Sequence, residues 1–190
     1  MPLAVSWFGR GEMGTLTGAE VAGAPVSLTG DALLSGYYIN ELIIKLMHRH
    51  DPQPEIFDAY AVTVRGLAAN GQIAPQLRQF EMELLKLLGY ALILDHDGEL
   101  QTALLPEQRY EYRVEQGPIP VAEREGPMVF YGRELEAIGR LAFAEENCLA
   151  CANRLLRGVI AYHLDGKELK SRKVLREIRK TSATPRSLRP

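Results

Sequence analysis

The sequence predicts an α+β domain that is predominantly α-helical, with a small β subregion in its second half. Three observations carry that prediction. Leu34, Tyr37, Tyr38, Leu42 and Leu46 follow helical spacing, and Ile39, Ile43 and Ile44 extend the stripe around most of the helix. Four more stretches, near 54–69, 75–88, 133–143 and 145–164, repeat apolar residues every three or four positions. Between them, Arg109-Tyr110-Glu111-Tyr112-Arg113-Val114 alternates polar and aromatic residues, as a half-buried strand does. A chain of 190 residues with 46% apolar and 24% charged residues suits one domain with a core of its own.

The elements follow in order. Residues 3–8 read as a short strand, 9–12 as a turn and 13–21 as a returning strand. One hairpin cannot bury its own faces, so it should dock on the helices or mark the remnant of a larger sheet. The first helix spans about 31–50, with Thr29 or Asp31 able to cap its free N–H groups. Its apolar run from Leu33 to Met47 carries Asn40, Glu41 and Lys45 and is shorter than the ~20 apolar residues a bilayer requires, so it reads as a central helix covered on several sides. Asp51-Pro52-Gln53-Pro54 breaks the chain, because each proline disfavours helix in the residue before it.

The second helix presents Ile56, Phe57, Tyr60, Val64 and Leu67 and stops at Asn70-Gly71. The third buries Leu77, Phe80, Leu84, Leu85 and Leu88, with Arg78, Glu81 and Lys86 off that stripe, and stops at Gly89. Residues 90–94 then form a candidate strand and 95–98 a turn. Strands are expected over 109–114 and 128–131, helices over 133–143 and 145–164, and a last short helix over 172–180 capped by Ser171. The domain boundaries are therefore 1–30 for the hairpin, 31–180 for the helical domain with a β insertion at about 90–131, and 181–190 for a disordered tail.

Catalytic chemistry finds no foothold. His48 and His50 are two apart, so a helix turns them to different faces. Asp95-His96-Asp97 resembles a ligand cluster, but Gly98 makes a turn as natural. Cys148-x-x-Cys151 could be a redox pair or half a zinc site, yet it sits in a long Ala- and Leu-rich helix, where two buried thiols one turn apart fit better. Gly9-Arg10-Gly11 begins a dinucleotide fingerprint without completing it, and Glu145-Glu146 suits a first helical turn. No metal, cofactor or membrane span is expected. The N-terminus lacks the pattern of a signal peptide, so a cytoplasmic location is expected.

Charge distribution is the one chemical signal. Net charge is −2, but from Lys167 onward nine basic residues face two acidic ones, giving +7 there and −9 elsewhere. Arg172, Arg176 and Arg179 or Lys180 share one face of a short helix, and Lys167 and Lys170 approach from the preceding loop. Such an array can neutralise phosphates without reading bases, or simply keep a tail solvated. Arg78 lies between Leu77 and Phe80. An arginine beside an apolar groove can anchor a peptide carboxylate; the same placement also fits a surface arginine lying along apolar neighbours.

The blocks SGYYINELIIKL, PEIFDAY, LRQFEMELLKLLGYAL and HLDGKELKSRKVLREI, in that order, resemble the bacterial DNA repair and recombination mediator family RecO. FGRGEMGTLTGAE resembles the segment leading into the first of them, so the likeness covers roughly residues 2–180. The resemblance implies a non-enzymatic, nucleoid-associated protein. It would work with RecR, and in many bacteria RecF, to load RecA onto DNA coated by single-strand binding protein, and would anneal complementary strands. It implies that the helical domain binds the acidic-hydrophobic C-terminal tail of that binding protein, with Arg78 matching the arginine of the family's L-R-x-F-E block, Leu77 beside it and Phe57 matching the aromatic of E-L-F.

It further implies contact with single- and double-stranded DNA, here through Lys167, Lys170, Arg172, Arg176, Arg179 and Lys180. Two departures stand out. The family begins with an oligonucleotide-binding barrel, of which only a last hairpin is expected in residues 1–30; its exposed apolar side would invite self-association. Many relatives also carry four zinc cysteines after the G-Y, which this chain lacks, so zinc is not carried over. The rival reading is a helical protein-interaction module without direct DNA binding.

Overall fold

The computed structural model describes residues 2–9, 13–48, 51–69 and 71–183, with side chains omitted at 176 and 178–183. Several expectations fall outside these residues: Arg10 and Gly11 of the G-x-G segment, His50, Asn70 as a helix stop, the tail from 184, and the side chains of Arg176, Arg179 and Lys180.

Strands β1 (Leu3–Phe8) and β2 (Thr15–Val21) pair antiparallel, with Leu3 opposite Val21 and a bulge between Ser6 and Trp7. Every residue of both strands is exposed, Trp7 and Phe8 included. The hairpin does not dock its faces on the helical core.

Helix α1 (Gly30–Leu46) buries Ser35, Gly36, Tyr38, Ile39 and Leu42. Tyr37 and Ile44 face out, so the buried stripe is narrower than its apolar sequence implies. Thr29 holds the N-cap position in extended backbone but makes no capping bond. Helix α2 (Pro54–Ala68) buries Ile56, Thr63 and Leu67, which turns Phe57 outward. Helix α3 (Ile73–Leu87) packs against both and against α5 (Cys148–His163). Ile39, Leu42, Leu84, Leu85, Leu155 and Leu156 fill the junction. Each such side chain contributes about 1.5–3 kcal/mol on burial.

The expected strand at 90–94 does not form. Gly89, at φ +85°, ends α3 and turns the chain away. Tyr90 then stacks on His163 with ring centroids 4.0 Å apart, and the Ile93 N–H donates to the Tyr112 hydroxyl at 3.3 Å instead of to a neighbouring strand. The second sheet has the order β4-β3-β5, from β3 (Arg109–Arg113), β4 (Gly117–Val121) and β5 (Val129–Tyr131), all antiparallel. Strand β4 was not foreseen, since Pro118 and Pro120 argue against a strand interior. It lies at the sheet edge, where proline is tolerated.

Helix α4 (Gly132–Gly139) is shorter than the expected 133–143, and Leu141 takes a positive φ just beyond it. Likewise α5 begins at Cys148, not at Glu145, after Asn147 at φ +61°. Helix α6 (Lys170–Ala183) then returns along α1. No helix among the described residues is long and apolar enough to cross a membrane.

A basic-floored cleft between helices

Helices α1, α3, α5 and α6 enclose a cleft of about 780 Å³. Its apolar walls include Leu34, Ile73, Leu77, Leu149 and Leu175. Its floor is polar. Arg78, expected at the edge of the apolar stripe, is buried inside it, and Glu81 is fully buried. Both therefore depart from the reading that set them off the core-facing side. The reason is local: Arg78, Glu81 and Leu85 are three and four residues apart, so the face that buries Leu85 buries them too.

The burial is compensated by a chain of polar contacts. Arg78 Nη2 donates to Glu81 Oε1 at 2.5 Å, and Arg78 Nη1 donates to the Asn153 side-chain oxygen. The Tyr38 hydroxyl donates to the same Glu81 oxygen at 2.5 Å. Arg172 Nη2 donates to the Tyr38 hydroxyl at 2.7 Å, and its guanidinium lies 5.1 Å from the Tyr38 ring centre. Four helices thus meet in one network. Burial pushes the Glu81 carboxyl above the usual carboxylate range, against the opposing pull of Arg78, Tyr38 and Arg172. Burial, reinforced by Glu81, likewise raises the Tyr38 hydroxyl far above an ordinary phenol. Arg78 Nε and Glu81 Oε2 are buried without a hydrogen-bond partner.

A second device fixes α6. Glu41 of α1 accepts from the Lys170 and Ser171 N–H groups at 2.9 and 2.8 Å and from the Ser171 hydroxyl at 2.7 Å. A carboxylate from another helix does the capping expected of Ser171. Partial burial raises the Glu41 carboxyl, but the bonds from Ser171, Lys170 and Lys45 outweigh it and bring its pKa down to about 2.

The remaining expected residues separate. Leu77 is half-buried in the cleft wall beside Arg78. Phe57 is 68% exposed and lines another cleft of about 540 Å³ with Leu3, Tyr37 and Tyr60, so the fold does not bring it to Arg78. Lys167 is exposed and sits 3.7 Å from Asp165. Lys170 and Lys173 are exposed on α6. Arg172 is instead turned into the cleft, which removes it from the shared outward face expected for it.

Other candidates resolve as structure. Asp97 is buried and its Oδ1 accepts from the Glu99 and Leu100 N–H groups at 2.7 and 2.9 Å, holding a turn. No group of three metal-ligating side chains occurs among the described residues. Cys148 and Cys151 are both buried free thiols, and Cys151 donates to Glu134 Oε1 at 3.3 Å.

Tyr38, Glu81, Asn153 and Glu41 are the residues the sequence reading missed. Glu81, four after Leu77 and three before Leu84, carried a signal in its phase. Glu41 and Asn153 carried none, since each acts on another helix.

The chain matches the family model "Recombination protein O C terminal" over residues 27–173. It is 41% identical to the DNA repair protein RecO of Methylococcus capsulatus over 176 residues, covering 93% of this chain and 72% of that relative. Identity to the RecO protein of Nitrosococcus oceani is 42% over 181 residues, covering 94% and 73%. To the RecO protein of Pseudomonas aeruginosa it is 44% over 174 residues, covering 92% and 74%.

Proposed function

The chain belongs to the RecO family of DNA repair proteins, and from that footing we propose that its helical cleft binds the acidic-hydrophobic C-terminal tail of single-strand binding protein. The observation that supports this is the cleft itself: apolar walls from Leu77, Leu34 and Leu175 above a floor holding Arg78 and Arg172. A peptide ending in Phe offers a ring for the walls and a carboxylate for the cations. Phe57, on a different face, is left out of this assignment.

In this reading the protein is a mediator and not an enzyme. It brings RecR, with RecF where present, to DNA coated by single-strand binding protein, supports RecA loading and promotes annealing. Direct contact with single- and double-stranded DNA falls to Lys167, Lys170 and the basic run of α6 through Arg176, Arg179 and Lys180. The β1–β2 hairpin, with both faces exposed, fits a strand pair of an oligonucleotide-binding barrel.

Fluorescence anisotropy with an acidic peptide ending in a free Phe carboxylate tests the cleft. The free acid should bind, and its C-terminal amide should bind about 10-fold or more weakly, the scale of one lost charge-assisted hydrogen-bond pair. Equal binding of acid and amide would overturn the assignment. Absence of an oligonucleotide shift at low salt, with peptide binding intact, would favour an interaction module without direct DNA contact.

A further inference from the structure

Arg172 belongs to α6, the helix whose outward lysines are exposed, yet its own side chain lines the cleft. Leu175, one turn on, lines it too. The two guanidiniums on the floor are not equivalent. Arg78 is buried, and its Nη groups are committed to Glu81 and Asn153. Arg172 is only half-buried, and the contacts that hold it are to an uncharged hydroxyl and ring. Glu81, the carboxylate on which its charge acts, is already bonded by Arg78 and Tyr38, and one Nη2 donor suffices to make the Arg172 bond to Tyr38. Asp31 and Glu145 also line the cleft, and Glu145 is paired with Arg140 at 3.6 Å. They disfavour an anion beside them, whereas Arg172 favours one.

Resting on the reading of the cleft as an acidic-peptide site, we infer that Arg172 grips the incoming carboxylate directly, and that peptide in the cleft and nucleic-acid phosphate on α6 therefore compete for one helix. The geometry gives the coupling a route. The first turn of α6 is held to α1 through Glu41, which keeps the two anion positions on one helix close together. A peptide carboxylate on Arg172 lies one residue from Lys173 and two from Lys170. Each bound anion lowers the positive potential the other requires, and the effect is reciprocal by linkage. Arg172 thus sets both the affinity of the cleft and its antagonism with nucleic acid.

The test uses the whole chain, the labelled acidic peptide with its free Phe carboxylate, and an unlabelled oligothymidylate at low salt. Saturating oligonucleotide should weaken peptide binding to the wild type by about 5-fold or more, within the usual span of coupling between sites. In Arg172→Met the peptide should bind about 10-fold more weakly, and the residual binding should no longer respond to oligonucleotide. Arg172→Lys, which keeps the charge but not the planar fork, should restore the response while recovering only part of the affinity. A thermal melt of each variant reports whether α6 remains docked.

Wild-type peptide affinity indifferent to oligonucleotide would overturn the competition. Arg172→Met with wild-type peptide affinity would overturn the role of Arg172 while leaving the cleft assignment standing. Failure of the peptide to bind wild type at all would remove the cleft reading and this inference together.

Discussion

Tyr38 of α1 donates its hydroxyl to Glu81 Oε1 of α3 at 2.5 Å, across 43 positions of sequence. That bond sits where Arg78 and Arg172 also converge, so it ties three helices and the polar floor of the cleft together. A buried ion pair is a weak source of net stability, but breaking one side of it is expensive.

Arg78→Met should therefore destabilise the fold by about 3–5 kcal/mol, because Glu81 is left in the core with its cation gone. Replacing both partners, as Arg78→Met with Glu81→Leu, should cost less than the sum of the two single changes, since no unpaired charge stays in the core and only the neutral Tyr38 hydroxyl and Asn153 oxygen lose a partner. Urea unfolding of the two variants and of Glu81→Leu alone closes the cycle. A double variant as unstable as the summed singles would show that the pair is not energetically coupled.

Glu41 makes stability depend on pH in acid. Its pKa in the folded protein is about 2, against about 4.3 in an unfolded chain. A lowered pKa means the unfolded state takes up the proton first, so this contribution is complete above about pH 4.3 and disappears as pH falls through about 2. Glu41→Gln should lose about 1 kcal/mol at neutral pH, the usual worth of a helix cap. Chemical denaturation of both proteins along a pH series should show the gap closing between about pH 4.3 and 2. A gap that persists at pH 2 would contradict the cap.

These two devices show how far the sequence could be read. The hairpin, the first three helices, β3, β5 and the existence of α6 follow from periodicity and turn residues that lie next to one another in the chain. Arg78 and Leu77 were also legible as a polar–apolar pair on one helix. What stayed hidden depends on partners far away in sequence. Glu41 caps a helix 129 residues later. Ile93 bonds to a tyrosine hydroxyl where a strand was expected to bond to a neighbour. Phe57 is apolar and in helical register, yet Ile56 and Thr63 take the inner face and leave it outside. Side-chain type decides that something is buried; only the packing of neighbours decides which phase of the helix is.

Phe57→Ala should accordingly leave acidic-peptide affinity within about twofold of wild type and change stability by no more than about 0.5 kcal/mol, as for exposed positions without special contacts. Anisotropy and a thermal melt check both. A large loss of peptide binding would place Phe57 in the tail site despite its separate cleft.

The outward lysines of α6 predict a salt signature. Each single-strand phosphate neutralised contributes about −0.7 to the slope of log affinity against log salt. Lys170→Ala with Lys173→Ala should flatten that slope by about 1.4 and weaken binding to all sequences alike. An oligonucleotide titration at several salt concentrations measures it. An unchanged slope would move the phosphate contacts to other residues.

Cys148 and Cys151 lie one turn apart at the start of α5, both buried. Burial, the bond to Glu134 and the Glu134 charge push the Cys151 thiol up to about 11, and burial also raises Cys148. A thiol must ionise to attack, so both should resist alkylation at pH 8 in the folded protein. Iodoacetamide should label them only after denaturant is added, and mass spectrometry should count two adducts then. Rapid modification of Cys151 in the native protein would require a thiolate, and with it a reactive role for the pair that its helical burial argues against. Cys151→Ala, which removes the sulfur's packing and its bond to Glu134, should lower stability by about 1 kcal/mol. Cys151→Ser keeps a donor for Glu134 and tests which of the two losses matters.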